Sequence, residues 1–175
     1  MTAVSKPSVL LVDDEEDVLF SLKGLLRHEF ELHTANSGDQ ALQILREHAI
    51  QVIMTDQRMP GMTGTELLNK VRAEFPHAIR IVFTGYADIK SVIEALNNGG
   101  LYRYITKPWD PDELVDVLHA AATRFRQDAQ RNLFAAEIRD YLSAVGTALE
   151  SDPQSAELVR RGERLKQSID ELFEA

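Results

Sequence analysis

Five short strand-like segments, each followed by residues at helical spacing, constrain this chain more than any other feature. Ser8–Val12 (SVLLV), Gln51–Thr55 (QVIMT), Ile79–Thr84 (IRIVFT) and Leu101–Thr106 (LYRYIT) are short runs rich in apolar residues, and Glu31–Ala35 alternates around a β-branched residue. After the first comes a helix carrying Val18, Leu19, Leu22, Leu25 and Leu26. The next carries Ala41, Leu42, Ile44 and Leu45 and is capped by Ser37. A third carries Leu67, Leu68 and Val71, and a fourth is expected over Asp88–Asn98, closed by Gly99-Gly100. The fifth opens at Asp110-Pro111, a cap followed by proline at the first helical position. Five such alternations within about 120 residues predict an α/β chain, a doubly wound five-stranded parallel sheet with helices on both faces. Runs as apolar as the first and third suit strands buried on both sides.

Composition narrows the function. Of 175 residues, 44% are hydrophobic, enough for a real core, and 27% are charged. The formal net charge of −9 argues against a nucleic-acid face, which needs clustered Lys and Arg. The absence of cysteine excludes disulfides, thiolate zinc sites and cysteine nucleophiles, and suits a reducing cytoplasm. Met1–Ser8 lacks the pattern of a signal peptide, and no apolar run approaches the roughly 18–20 residues of a membrane span. A soluble, cytoplasmic chain is expected.

In a doubly wound sheet, ligands bind outside the carboxyl ends of the strands. Asp13 and Asp14 end the first strand, Asp56 the third, Thr84 the fourth and Lys107 the fifth. Three carboxylates, a hydroxyl and an ammonium are thus expected on one edge. Gathering three acids is unfavourable without a cation, and hard oxygen ligands favour Mg²⁺, which keeps waters and takes few protein carboxylates. An aspartate beside such an ion can attack a phosphoryl group. That transfer needs mainly positioning and charge neutralisation, and Thr84 is placed to hydrogen-bond a new phosphoryl oxygen. Singly, each residue has a plainer explanation, since an acidic pair after a strand commonly only caps a helix. Capping does not explain the set, in order, on alternating strands.

Val12-Asp13-Asp14-Glu15, Asp56-Gln57-Arg58-Met59-Pro60-Gly61-Met62-Thr63-Gly64, Thr84-Gly85-Tyr86 and Ile105-Thr106-Lys107-Pro108-Trp109 together resemble the receiver domain of bacterial two-component response regulators. The resemblance covers about residues 7–125 and implies a flavodoxin-like receiver over residues 1–124, leaving 125–175 as an extension whose own spacing is helical. It implies that Asp56 is the phospho-acceptor, with Mg²⁺ held by Asp13, Asp14, Asp56 and the main-chain carbonyl of Arg58. Thr84 would be the switch hydroxyl, Lys107 the phosphoryl contact, and Tyr104 the aromatic that turns inward on activation. The implied donor is a histidine kinase or phosphotransfer protein of a phosphorelay. The only implied chemistry is Mg²⁺-dependent self-phosphorylation and autodephosphorylation, so the chain is not expected to be an enzyme. By the same resemblance Arg58 and Tyr86 flank the path of the water that hydrolyses the acyl phosphate. Both are large enough to shield the phosphoryl group; alternatively both face solvent and cover apolar surface.

Beyond the receiver-like part, no Gly or Pro interrupts the chain until Gly146 and Pro153. Leu118, Ala122, Phe125 and Ala129, then Ile138, Leu142, Val145 and Leu149, keep helical spacing, which predicts one helix over about 112–150. Ser151-Asp152-Pro153 stops it, and a second helix is expected to about residue 173, with Leu158/Val159, Gly162, Leu165, Ile169 and Leu172/Phe173 on its stripe. Such stripes need a partner, and both a coiled-coil homodimer and an intrachain hairpin are open. Residues 126–175 carry 7 basic and 10 acidic side chains, too acidic for a DNA-binding element. The five histidines show no metal spacing and are read as incidental.

The leading expectation is a phosphorylation switch acting on a protein-interaction surface. The alternative is the receiver and linker of a larger regulator with a DNA-binding or cyclic-dinucleotide phosphodiesterase output. A third class, an aspartate-nucleophile hydrolase similar to haloacid dehalogenase-type phosphatases, needs Asp-x-Asp after the first strand. Here the two acids are adjacent, and the candidate nucleophile follows the third strand.

Overall fold

The computed structural model describes residues 6–85, 101–149 and 156–173. Their elements are β1 (Ser8–Val12), α1 (Glu16–Leu26), β2 (Glu31–Ala35), α2 (Gly38–Glu47), β3 (Val52–Asp56), α3 (Gly64–Glu74), β4 (Ile79–Thr84), β5 (Arg103–Thr106), α4 (Pro111–Leu149) and α5 (Ala156–Phe173). All strand pairs are parallel, in the order β2-β1-β3-β4-β5. This is the doubly wound, flavodoxin-like sheet expected of a receiver, with a long helix following it. The helix expected over 88–98 lies outside the described residues.

Side-chain alternation along the strands makes two cores. Val9, Leu11, Val52, Met54, Ile81 and Phe83 face α1 (Leu19, Leu22, Leu26) and the start of α4 (Leu114, Leu118, Ala121, Ala122). Leu10, Val12, Ile53 and Val82 face α2 (Ala41, Leu42, Leu45) and α3 (Leu67, Leu68, Val71). Three element ends move. β3 runs one residue later than expected, because Asp56 still pairs with Phe83. β5 begins at Arg103 rather than Leu101, where its pairing with Ile81 starts. α4 begins at Pro111 and its described part ends at Leu149.

The chain divides into two compact units, residues 1–125 and 126–175. Within the second, α5 lies alongside the later turns of α4. Arg139 pairs with Asp170 at 3.4 Å, and Lys166 Nζ donates to Ser143 Oγ at 3.0 Å. Pairs 139–170 and 143–166 step in opposite directions, so the two segments run antiparallel. Within the chain the two helices therefore form a hairpin. It leaves Leu133, Phe134, Tyr141, Leu158 and Leu165 exposed.

Two glycines test the packing in opposite directions. A Cβ at Gly64 would collide with the main-chain carbonyl oxygen of Asp56 and stand 3.1 Å from Gln57 Cα, whereas a Cβ at Gly24 meets nothing within 4 Å. Gly64→Ala should therefore lower stability by about 1–3 kcal/mol. Gly24→Ala, inside α1, should raise it by about 0.5–1 kcal/mol. Urea unfolding of the two variants beside the parent checks both signs.

Candidate functional site

The carboxyl ends of β1, β3 and β5 come together through one ammonium. Lys107 Nζ lies 2.6 Å from Asp56 Oδ1 and 3.2 Å from Asp13 Oδ2. Asp56 closes β3, and Asp13 follows β1, the adjacent strand. Lys107 follows β5, its backbone N–H bonded to the Thr84 carbonyl at 2.8 Å. To reach Asp56 its side chain crosses the end of β4, where the ammonium stands 4.5 Å from the centroid of the Phe83 ring. Trp109 meets the same ring edge-on at 5.7 Å. The importance of Phe83 was not visible in the sequence, where it reads as one more core residue of β4.

Each carboxylate oxygen takes one donor. Asp13 Oδ1 accepts the Glu15 N–H at 2.8 Å, and Asp56 Oδ2 accepts the Arg58 N–H at 2.6 Å. The other two oxygens are those on Lys107. Every oxygen keeps further acceptor capacity, since a carboxylate offers about four lone-pair sites.

Two buried carboxylates share one cation. Asp13 is 0% exposed and Asp56 7%. Burial is the largest influence on Asp13 and raises its pKa, although the Glu15 N–H and Lys107 oppose it. For Lys107, burial works against the charged form, but the hydrogen bonds and charges of Asp56 and Asp13 prevail and raise its pKa. Two carboxylates thus face a single ammonium.

The remaining expected residues are placed as follows. Asp14, next to Asp13, is exposed, and Lys107 joins Asp13 and Asp56. Thr84 is buried at the end of β4, and its hydroxyl donates to the Gly85 carbonyl at 3.1 Å. Tyr104 is half-buried and packs against the core facing α2 and α3. The Arg58 side chain is exposed, and Tyr86 lies outside the described residues. His33 and His48 face each other at 4.4 Å, and His119 packs at 4.6 Å on Phe30, so these histidines have packing roles away from the site.

Among the described residues, no three His, Cys, Asp or Glu side chains form a ready-made metal cluster. The donor set nevertheless fits a small hard cation. Two carboxylates with open lone pairs face a single ammonium, the exposed Asp14 is next in sequence, and Mg²⁺ needs few protein ligands.

The response regulator receiver domain family matches residues 9–119. The chain is 44% identical over 114 residues to the hydrogenase transcriptional regulatory protein HoxA of Cupriavidus necator, covering 65% of this chain and 24% of that protein. It spans about a quarter of the length of curated relatives that it matches. The signal receiver domain of an HD domain-containing protein from Pseudomonas fluorescens Pf-5 superposes with a TM-score of 0.70 at 35% identity, covering 75% of this chain and 97% of that one. The response regulator TrrA of Thermotoga maritima, solved in complex with Mg(2+)-BeF, superposes with a TM-score of 0.60 at 28% identity, covering 66% and 98%. No helix among the described residues is long and apolar enough to cross a membrane. With its parallel sheet, its acids and lysine at the strand ends and these likenesses, the chain belongs to the response regulator receiver domain family.

Proposed function

We propose that Asp56 accepts a phosphoryl group from a histidine kinase or phosphotransfer protein, and that the acyl phosphate switches a protein-interaction surface of this chain. The observation that carries this reading is the Lys107 ammonium bridging Asp56 and Asp13. The Arg58 N–H holds Asp56 Oδ2 and so fixes the orientation of the carboxylate. An oxygen of Asp56 forms the new P–O bond as the bond from phosphorus to the donor nitrogen breaks, and the electron pair leaves with the imidazole. Lys107 is within reach of both the acceptor and the charge that develops beside it. Asp13, Asp14, Asp56 and the Arg58 carbonyl would hold Mg²⁺, which supplies charge neutralisation at the phosphoryl oxygens. Thr84 gives up its bond to Gly85 to contact the phosphoryl group, and Tyr104 follows inward. No external substrate is turned over, and the chain works in the cytoplasm.

Incubation with acetyl phosphate and Mg²⁺ should add one phosphate by intact mass, and none to Asp56→Asn. Asp13→Ala should need more Mg²⁺ for the same rate. Wild-type labelling of Asp56→Asn would remove the assignment.

Arg58, and with it Tyr86, shields the acyl phosphate in this reading. The support is that Arg58 is bulky and exposed, and its own N–H is bonded to the acceptor. Shortening both side chains to alanine should speed decay severalfold, about 1 kcal/mol of barrier. An unchanged decay rate removes the shield.

The hairpin of the second unit pairs with a second copy to make a four-helix bundle. Two helices cannot bury Phe134 and Tyr141, which are 61% and 70% exposed, nor the groove between Leu142, Val145, Leu158 and Leu165. Gly146 and Gly162 line that groove and allow close approach. A two-fold partner is the commonest kind. Sedimentation at tens of micromolar should give a dimer for the full chain, responsive to beryllofluoride with Mg²⁺, and a monomer for a chain ending at Arg124. A monomeric full chain refutes the dimer. The name of HoxA favours a second reading, in which this receiver serves a longer transcriptional regulator; the coding sequence past Ala175 decides it.

A further inference from the structure

Gln57 follows the acceptor and is only 6% exposed, an unusual place for a primary amide. Burying four hydrogen-bonding sites is costly unless they are satisfied. Thr65 satisfies both ends of the amide. The Thr65 N–H donates to Gln57 Oε1 at 3.2 Å, and Gln57 Nε2 donates to Thr65 Oγ1 at 3.2 Å. The orientation is forced, because a backbone N–H can face only the amide oxygen.

The main chain of Gln57 is held as well. Its N–H donates to the Phe83 carbonyl at 3.2 Å, and its carbonyl accepts the Gly64 N–H at 3.1 Å. A helix begins with four N–H groups lacking intrahelical partners. In α3 these belong to the cap Thr63 and to Gly64, Thr65 and Glu66. Gln57 takes those of Gly64 and Thr65, the Thr63 hydroxyl takes that of Glu66 at 3.3 Å, and the Glu66 carboxylate takes that of Thr63 at 2.9 Å. The segment carrying Asp56 and Arg58 is thus bolted to the start of α3 by one residue, with Gly64 pressed against the Asp56 carbonyl.

We propose that Gln57 is a positioning residue for the acceptor: through Thr65 it fixes where the N–H and carbonyl of Arg58 stand against the Asp56 carboxylate. This inference rests on Asp56 being the acceptor. The short Arg58–Asp56 bond, 2.6 Å, is one residue from the clamp, so loosening the amide moves a donor and a candidate metal-facing carbonyl together. Small displacements at a reacting centre are expensive in rate. A leucine of similar size fills the volume but offers Thr65 nothing, and this separates positioning from packing.

The test uses the full chain and four variants: Gln57→Leu, Thr65→Val, their double, and Thr65→Ser. Three quantities are read well below the melting temperature: the phosphorylation rate with acetyl phosphate, the Mg²⁺ half-saturation, and amide exchange at Arg58. Trp109 is the sole tryptophan and packs on the ring beneath Lys107, so its fluorescence is expected to respond to Mg²⁺ without turnover. Gln57→Leu should slow phosphorylation about tenfold and raise the Mg²⁺ half-saturation in parallel, with faster exchange at Arg58. Thr65→Val should do less, Thr65→Ser should behave as the parent, and the double should be no slower than Gln57→Leu. Parental rate and half-saturation in a less heat-stable Gln57→Leu would overturn the proposal and leave only a helix cap. Additive effects in the double would overturn the coupling through Thr65. If Gln57→Leu fails to fold, Thr65→Val against Thr65→Ser decides by the same readouts. A parent chain that takes up no phosphoryl group removes the acceptor reading and this inference with it, whereas a labelled parent with an unaffected Gln57→Leu removes this inference alone.

Discussion

One ammonium between two buried carboxylates holds the working edge of this sheet together. The strand order places β4 between β3 and β5, so Lys107 must cross a full strand to reach Asp56. Adjacent strands lie about 4.8 Å apart, so β5 and β3 are separated by about 9.6 Å, a distance that the long lysine side chain and the carboxylate facing it span together. The Phe83 ring forms the floor of that crossing and favours the charged form of the lysine. Burial destabilises the charges of Asp13 and Lys107, and with two carboxylates set against one ammonium, further positive charge is favoured there.

The acceptor side of the site depends on a helix start. The first N–H groups of α3 have to bond something, and they bond the segment that carries Asp56 and Arg58. The capping box of Thr63 and Glu66 completes the same junction, with Glu66 returning its carboxylate to the Thr63 N–H at 2.9 Å. These bonds hold the Glu66 carboxyl below its usual range, the Thr63 N–H contributing most. Helix capping and site geometry are therefore one set of bonds here.

The second unit follows different physics. Its two helices are joined by an ion pair and a hydroxyl contact near the surface, interactions worth little in water. Its large side chains, Leu133, Phe134 and Tyr141 on α4 and Leu158 and Leu165 on α5, remain exposed. The hairpin half-buries Ile138, Leu142, Val145 and Val159 and leaves these larger flanking side chains open.

What the sequence determined by itself was whatever local periodicity and chain order dictate. Five alternations of strand and helix specify a parallel sheet, because parallel strands need crossovers and crossovers cover both faces. The carboxyl ends of those strands must then share an edge, which brought Asp13, Asp56, Thr84 and Lys107 into view without coordinates. The antiparallel pairing of α4 with α5 was not decidable, since an amphipathic stripe does not name its partner. Nor was the difference in burial between Asp13 and Asp14, because only packing chooses which of two adjacent residues is covered. Gln57 was invisible for the same reason: a glutamine beside an acid reads as a loop residue until the fold buries it against Thr65. Tertiary structure alone decided these, because each depends on contacts between residues that sequence spacing does not relate.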